Sequence, residues 1–251
     1  MNKSLLLVRS NLRRAKGQTI SIAVLILLSA AMLNIWLMLS MDYKQNFDRC
    51  HDRLHAEHVT LVMDGDSDAV RPFLERTLQE EKQATEFCMG DCLNMVGSFA
   101  YNNGEANTEL VILEKEAALS RAIGKVEIVE EGGESSGVYL PMLYKTEDID
   151  IGKTIEINIG SNTVSYTVCG FFNSVMAGSH NCVMCELLLT QDQYKELEEA
   201  GYAPRATLLS VRIADKLESE NFEAALKSKV SAQPGRLCGG RMKRSGMPPP
   251  C

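Results

Sequence analysis

From Thr19 to Met41 the chain carries no charged residue, and this 23-residue stretch, TISIAVLILLSAAMLNIWLMLSM, constrains the fold more than any other. At about 1.5 Å rise per residue it makes a helix ~34 Å long, enough to cross a hydrocarbon core of roughly 30 Å. The preceding residues 1–18 hold Lys3, Arg9, Arg13, Arg14 and Lys16 and no acid. The positive-inside rule keeps that end in the cytoplasm and sends everything after Met41 to the far side. A cleaved signal peptide has a shorter apolar core, about 7–15 residues, ending in a small-residue cleavage site. Here Ser29, Ala30 and Ala31 lie in mid-span, and the exit Leu39-Ser40-Met41-Asp42 is a poor site. An uncleaved anchor is therefore expected, ahead of a signal peptide or a buried core helix. Asn34 either hydrogen-bonds to another membrane helix or is a single tolerated polar residue.

Charge divides the remainder. The formal net charge is −7; the first 18 residues carry +5 and residues 232–251 carry +4, which leaves the body from Asp42 to Ser231 at −16. A body this acidic excludes nucleic acid, whose phosphates demand a basic face. Eight cysteines, Cys50, Cys88, Cys92, Cys169, Cys182, Cys185, Cys238 and Cys251, all follow the span. In an oxidising exterior they can pair, with Cys88/Cys92 and Cys182/Cys185 close enough to be local pairs, or they remain thiols.

Four segments follow. Residues 1–18 are a basic lead in which Leu5, Val8 and Leu12 recur at helical spacing with Arg9, Arg13 and Lys16 offset, the pattern of a helix lying on the inner membrane face. Residues 19–41 are the membrane helix, with polar Asp42–Glu57 continuing it. Residues 42–231 are an α+β domain. It has strands at 58–63, 93–101, 108–113, 126–129, 154–159, 163–171, 183–189 and 206–213, and helices at 67–83, 115–123, 190–200 and 219–230. Asn102-Asn103-Gly104 and Gly160-Ser161-Asn162 turn two antiparallel hairpins, and Pro72 fits the first turn of its helix. The stretch 130–137 is loose. Thr190 and Gln193 form a capping box, and Gly201 ends that helix. Residues 232–251 lack apolar periodicity and end in Pro-Pro-Pro-Cys, as a natural tail or the product of a reading-frame change.

The motifs for chemistry are sparse. His51 and His55 at i, i+4 can present one helical face to a metal, against the ordinary reading of a solvated helix exit. His180, Cys182 and Cys185 offer three soft ligands, fewer than the four a structural zinc site takes. Gly152-Lys153-Thr154 ends like a phosphate loop, but Glu147 stands where the loop needs glycine, beside Asp148 and Asp150. No Gly-x-Ser-x-Gly elbow occurs. Glu127–Glu134 reads as solvated loop. No catalytic residue, cofactor or metal is assigned.

In order and spacing the segments resemble the MacB/FtsX-type permease family of ABC transporters. Arg9-Ser10-Asn11-Leu12-Arg13-Arg14-Ala15-Lys16-Gly17 is similar to that family's basic lead, with one extra residue after Arg9. Ile151-Gly152-Lys153-Thr154-Ile155, the hairpin behind it and Cys169-Gly170-Phe171 resemble part of its extracytoplasmic core, with Lys153 in place of the usual acid. SVRIADKLESENFEAAL resembles its late strand and helix. The resemblance covers roughly residues 1–231. It implies a non-enzymatic subunit in a bacterial plasma membrane, whose partners are a separate cytoplasmic ABC ATPase, a second permease copy or half, and membrane lipid. It implies Leu5, Val8, Arg9, Leu12 and Arg13 as the cytoplasmic coupling segment. Family members return to the membrane with at least three more helices, so this chain is expected to be an N-terminal portion. The alternative is a single-pass anchored module that binds a ligand or protein without an ATPase. A third reading, an anchored enzyme, would need a reactive thiol or metal at Cys182/Cys185.

Overall fold

The computed structural model describes residues 16–65, 67–176 and 184–231. The lead with Leu5, Val8, Arg9, Leu12 and Arg13, the positions of His180 and Cys182, and the tail from Ala232 lie outside the described residues. The chain divides into two compact units, Met1–Cys50 and His51–Cys251.

Helix α1, Lys16–Arg53, runs for 38 residues, and its last turn from His51 belongs to the second unit. Over Ile20–Asp42 it is long and apolar enough to cross a membrane, alone among the described residues in this respect. Leu25, Ile26, Leu27 and Leu28 occupy successive positions around the helix, and each is at least half exposed. A surface helix of a soluble domain keeps its apolar residues to one stripe; a helix apolar all round belongs in a core or a membrane. The Asn34 amide donates to Ala30 O one turn back, at 2.9 Å, which satisfies it within its own helix.

The second unit is built on nine strands. In chain order they are β1 (Val59–Asp64), β2 (Ala84–Tyr101), β3 (Gly104–Glu114), β4 (Glu127–Glu131), β5 (Val138–Pro141), β6 (Thr154–Ile159), β7 (Asn162–Asn173), β8 (Met184–Leu189) and β9 (Arg205–Ile213). Between and after them come α2 (Ser67–Glu80), α3 (Lys115–Leu119), α4 (Gln191–Ala200) and α5 (Ser219–Ser231). The α+β class expected from the pattern is the class observed.

The sheet order is β1-β9-β2-β3-β8-β5-β7-β4, and β6 pairs with both β2 and β7. Those extra pairings close β2, β3, β8, β5, β7 and β6 into a ring. Alternating side chains fill it: Leu110 and Ile112 from β3, Leu187 and Leu189 from β8, Val138 and Leu140 from β5, Ile155, Ile157 and Ile159 from β6. Closure is tight at Gly97, paired with Ile159, where any Cβ would run into Asn158 O and Leu110 Cδ1. The strand face carrying Val111, Leu113, Leu188 and Leu208 buries a second cluster with Ala118 of α3. On the β1–β9 wing, Leu61, Leu209 and Val211 pack with Leu74 and Leu78 of α2 and Phe222 and Leu226 of α5.

The hairpins stand where the turn residues put them. Asn102 and Asn103 both have φ near +50 to +60° and join Tyr101 to Gly104, as a two-residue type I′ turn requires. Several expectations need correction. β2 starts at Ala84 rather than Leu93, because β9 pairs with the polar stretch 84–93 along its length. Pro72 falls in the second turn of α2, which ends at Glu80, and α3 stops at Leu119. The loose stretch 130–137 gives up its first two residues to β4, and Val138–Pro141 after it is a fully buried strand. Gly201 does end α4, at φ +68°, but Thr190 makes no side-chain cap. Its Oγ1 instead accepts from Gly137 N, and its N–H donates to Gly137 O, each at 3.1 Å. The hydroxyl is spent on tying α4 to β5.

Candidate functional site

The strongest candidate is the connector after α1, residues 54–58, and the buried charges behind it. The helix ends in two nested hydrogen bonds, Ala56 N to His51 O at 2.9 Å and His55 N to Asp52 O at 3.1 Å. This is the Schellman ending, in which the left-handed position usually belongs to glycine. Here it is His55, at φ +47°, held through its Nε2 to Glu86 Oε2 at 2.6 Å.

Each carbonyl of the next three residues is then taken by a different part of the domain. Leu54 O accepts from Lys125 N at 2.8 Å, His55 O from Gly124 N at 3.0 Å, and Ala56 O from the Arg212 guanidinium. Leu54 and Ala56 are buried, and His58 N donates to Val211 O at 2.9 Å, which starts the β1–β9 pairing. Arg53 adds an exposed pair with Glu127 at 2.8 Å. The expected solvated helix exit is thus a segment tied by its backbone carbonyls into the second unit.

The histidines do not form a metal face. His55 lies past the helix end, and His51 stacks on His58 at 5.6 Å between ring centroids with 10° between planes. His58 Nδ1 sits 3.1 Å from both the N–H and the C=O of Ile213. Burial lowers the pKa of both stacked rings, and the Arg212 charge lowers them further. Among the described residues no group of three or more His, Cys, Asp and Glu is placed to hold a metal ion.

Next to the connector, within the second unit, lies a polar row across three strands. Thr60, Ser210 and Cys88 are register partners on β1, β9 and β2. Arg121, in the segment after α3, lies over it. Its Nη2 donates to Ser210 Oγ at 2.7 Å and its Nη1 to Glu186 Oε1 at 3.1 Å. Glu186 on β8 has no exposed surface, and its other oxygen accepts from Ser174 Oγ at 2.5 Å. Burial pushes the Glu186 carboxyl up, with Arg121 and Ser174 opposing; burial also pulls Arg121 down, but Glu186, Glu57 and Cys88 together outweigh it and the guanidinium stays charged. Glu57, in the connector, is buried too and accepts from Thr60 Oγ1 at 3.1 Å.

Of the two local cysteine pairs considered above, only Cys88/Cys92 lies within the described residues. Cys88 and Cys92 are four residues apart on β2, roughly 13 Å at strand rise, beyond the ~7 Å Cα separation a disulfide spans. Cys88 Sγ reaches Ile123 O at 3.6 Å and Cys92 Sγ reaches Ala206 O at 3.5 Å. Cys185 is buried inside the strand ring. The acidic run Glu127–Glu134 is a loop only from residue 132: Glu127–Glu131 form β4, where Glu130 and Glu131 pair with Lys145 and Lys115.

The chain matches no protein-family model and no curated protein. Among solved structures it is similar to the periplasmic region of MacB from Actinobacillus actinomycetemcomitans, at 12% identity over 77% of this chain and 91% of that one, with a TM-score of 0.34. A second is the extracellular domain of the noncanonic ABC-type transporter YknZ from Gram-positive bacteria, at 10% identity over 75% of this chain and all of that one, TM-score 0.30. A third is a putative lipoprotein from Bacillus anthracis, at 12% identity over 70% of this chain and 92% of that one, TM-score 0.30.

Sequence reasoning passed over Arg121, Glu186, Ser210 and Arg212. One signal was available: Glu186 in Met184-Cys185-Glu186-Leu187-Leu188-Leu189 and Arg212 in Leu209-Ser210-Val211-Arg212-Ile213 are lone charges inside strand-like apolar runs. A charge there is either on the solvent face or paired, and only the fold says with what.

Proposed function

We propose that this chain is the N-terminal, membrane-anchored portion of an ABC-transporter permease, with its sheet domain outside the plasma membrane and its basic lead inside. In this reading it has no catalysis of its own. A separate cytoplasmic ATPase supplies the energy, and the domain moves a substrate or partner rather than opening a simple pore. The observation that carries the reading is the helix over Ile20–Asp42, exposed and apolar around its circumference and long enough to cross a membrane, ahead of an α+β sheet domain in the same chain. The basic lead and the motif order described above support the same assignment.

The test is affinity capture of the tagged full chain from its own membranes after mild solubilisation. An ABC ATPase subunit should be recovered in stoichiometric amount. Recovery of the chain with no ATPase, at full yield, would overturn the proposal and leave the anchored binding module.

A further inference from the structure

Arg121 has two buried carboxylates beside it and holds only one. Its Nη1 is on Glu186 and its Nη2 is on a neutral hydroxyl, Ser210 Oγ. Glu57 is nearly buried, and while its Oε1 accepts from Thr60, its Oε2 has no hydrogen-bond partner among the described residues. A buried carboxylate oxygen left unpaired is among the more expensive defects a core can carry. Gly124, at φ +63°, lies against both groups and leaves them room by having no side chain. A Cβ there would run into Glu57 Oε2 and stand 2.9 Å from Arg121 Nη2, so the two groups face each other across that gap.

We infer that Arg121 is a two-position latch, in which Nη2 passes from Ser210 to Glu57 across the space kept open by Gly124 while Nη1 remains on Glu186. The exchange replaces one hydrogen bond by one hydrogen bond, and in the new one both partners carry charge. The three partners belong to different parts of the domain: Glu57 to the connector that follows α1, Ser210 to β9, Glu186 to β8. Moving the connector therefore changes which acceptor Nη2 finds, and a small shift selects between two discrete states. Its use as a relay from the helix rests on the mechanotransmission reading; the exchange itself does not.

The test is a thermal-unfolding cycle on the full chain in detergent micelles, with Glu57→Gln, Ser210→Ala and the double variant. In the wild type, Glu57→Gln replaces a buried carboxylate that has an unpaired oxygen by a neutral amide and should raise the midpoint by about 2–4 °C. In Ser210→Ala, Nη2 has lost its hydroxyl and should already be on Glu57, so Glu57→Gln should lower the midpoint. That reversal of sign is the expected result. A shift in the same direction in both backgrounds overturns the latch. Ser210→Gly, which also removes the hydroxyl, gives the same comparison if Ser210→Ala does not fold. No ATPase is present in the measurement, so its failure is distinct from failure of the transporter assignment.

Discussion

His51 and His58 lie ring on ring, 5.6 Å apart and 10° from parallel; the Arg212 and Lys216 charges act against protonation of both rings, and Asp52 and Glu57 favour it at His51. Burial, then Arg212, lowers both pKa values in the folded state, while the unfolded chain titrates near ~6.5. The unfolded state therefore binds more protons once pH falls below that value. The stabilisation is present above ~6.5 and is lost as pH falls towards the depressed folded values. Calorimetry of the full chain between about pH 7.5 and pH 5.5 should show a fall in unfolding midpoint that is smaller in His58→Phe, which keeps a ring but no proton. Equal falls in the two proteins would remove the stack as the cause.

The reciprocal hydrogen bonds between Thr190 and Gly137 separate two accounts of the same hydroxyl. If it clasps β5, Thr190→Val strands the buried Gly137 N–H and destabilises by about 1–3 kcal/mol. Gln193→Ala, the other half of the capping box the sequence invites, should stay within about 0.5 kcal/mol. Denaturant melts of both variants decide it, and a larger loss from Gln193→Ala would restore the capping box.

Ring closure rests on a short pairing, Gly97–Phe99 with Ile157–Ile159. Phe99 is buried there and meets Tyr144 edge-on at 5.0 Å. Phe99→Ala should cost about 3–5 kcal/mol, as large core truncations do. Val96→Ala, on the same strand but half exposed, should move stability by no more than about 0.5 kcal/mol. Comparable losses at the two positions would mean the ring interior is not the core.

Thiol reactivity should follow position in the sheet. Cys50 and Cys88 are partly exposed, whereas Cys92, Cys169 and Cys185 are buried, and burial pushes the Cys169 thiol up, away from the reactive thiolate. A brief maleimide pulse on the folded chain, followed by peptide mass mapping, should label Cys50 and Cys88 first among these five. The other three should label only in denaturant. Isolation of a native Cys88–Cys92 disulfide would contradict the extended course of β2.

Elements with their own periodicity were legible from residues alone. Ile155, Ile157 and Ile159 alternate against Val164, Tyr166 and Val168, and a glycine turn between them leaves one register that buries both sets. Asn102-Asn103-Gly104 carries its turn type in its backbone preferences. Two elements were not legible because nothing local specifies them. Val138–Pro141 is four residues long, too short to show a period, and becomes a strand because β7 and β8 flank it. The first half of β2, with Gly90 and Asp91, is drawn into the sheet by β9, more than a hundred residues later. The polar cluster followed the same rule. Arg121, Glu186 and Ser210 sit far apart along the chain, and their meeting is a property of the sheet order rather than of any spacing.

The place of β9 between β1 and β2 has a consequence for how the domain is made. Strands β1 and β2 both pair with β9 rather than with each other, so they are joined only when a segment more than a hundred residues after both of them arrives. The wing from β1 to β2 therefore cannot be completed before Ile213 has been made, whereas the β2–β3 and β6–β7 hairpins need only their own residues.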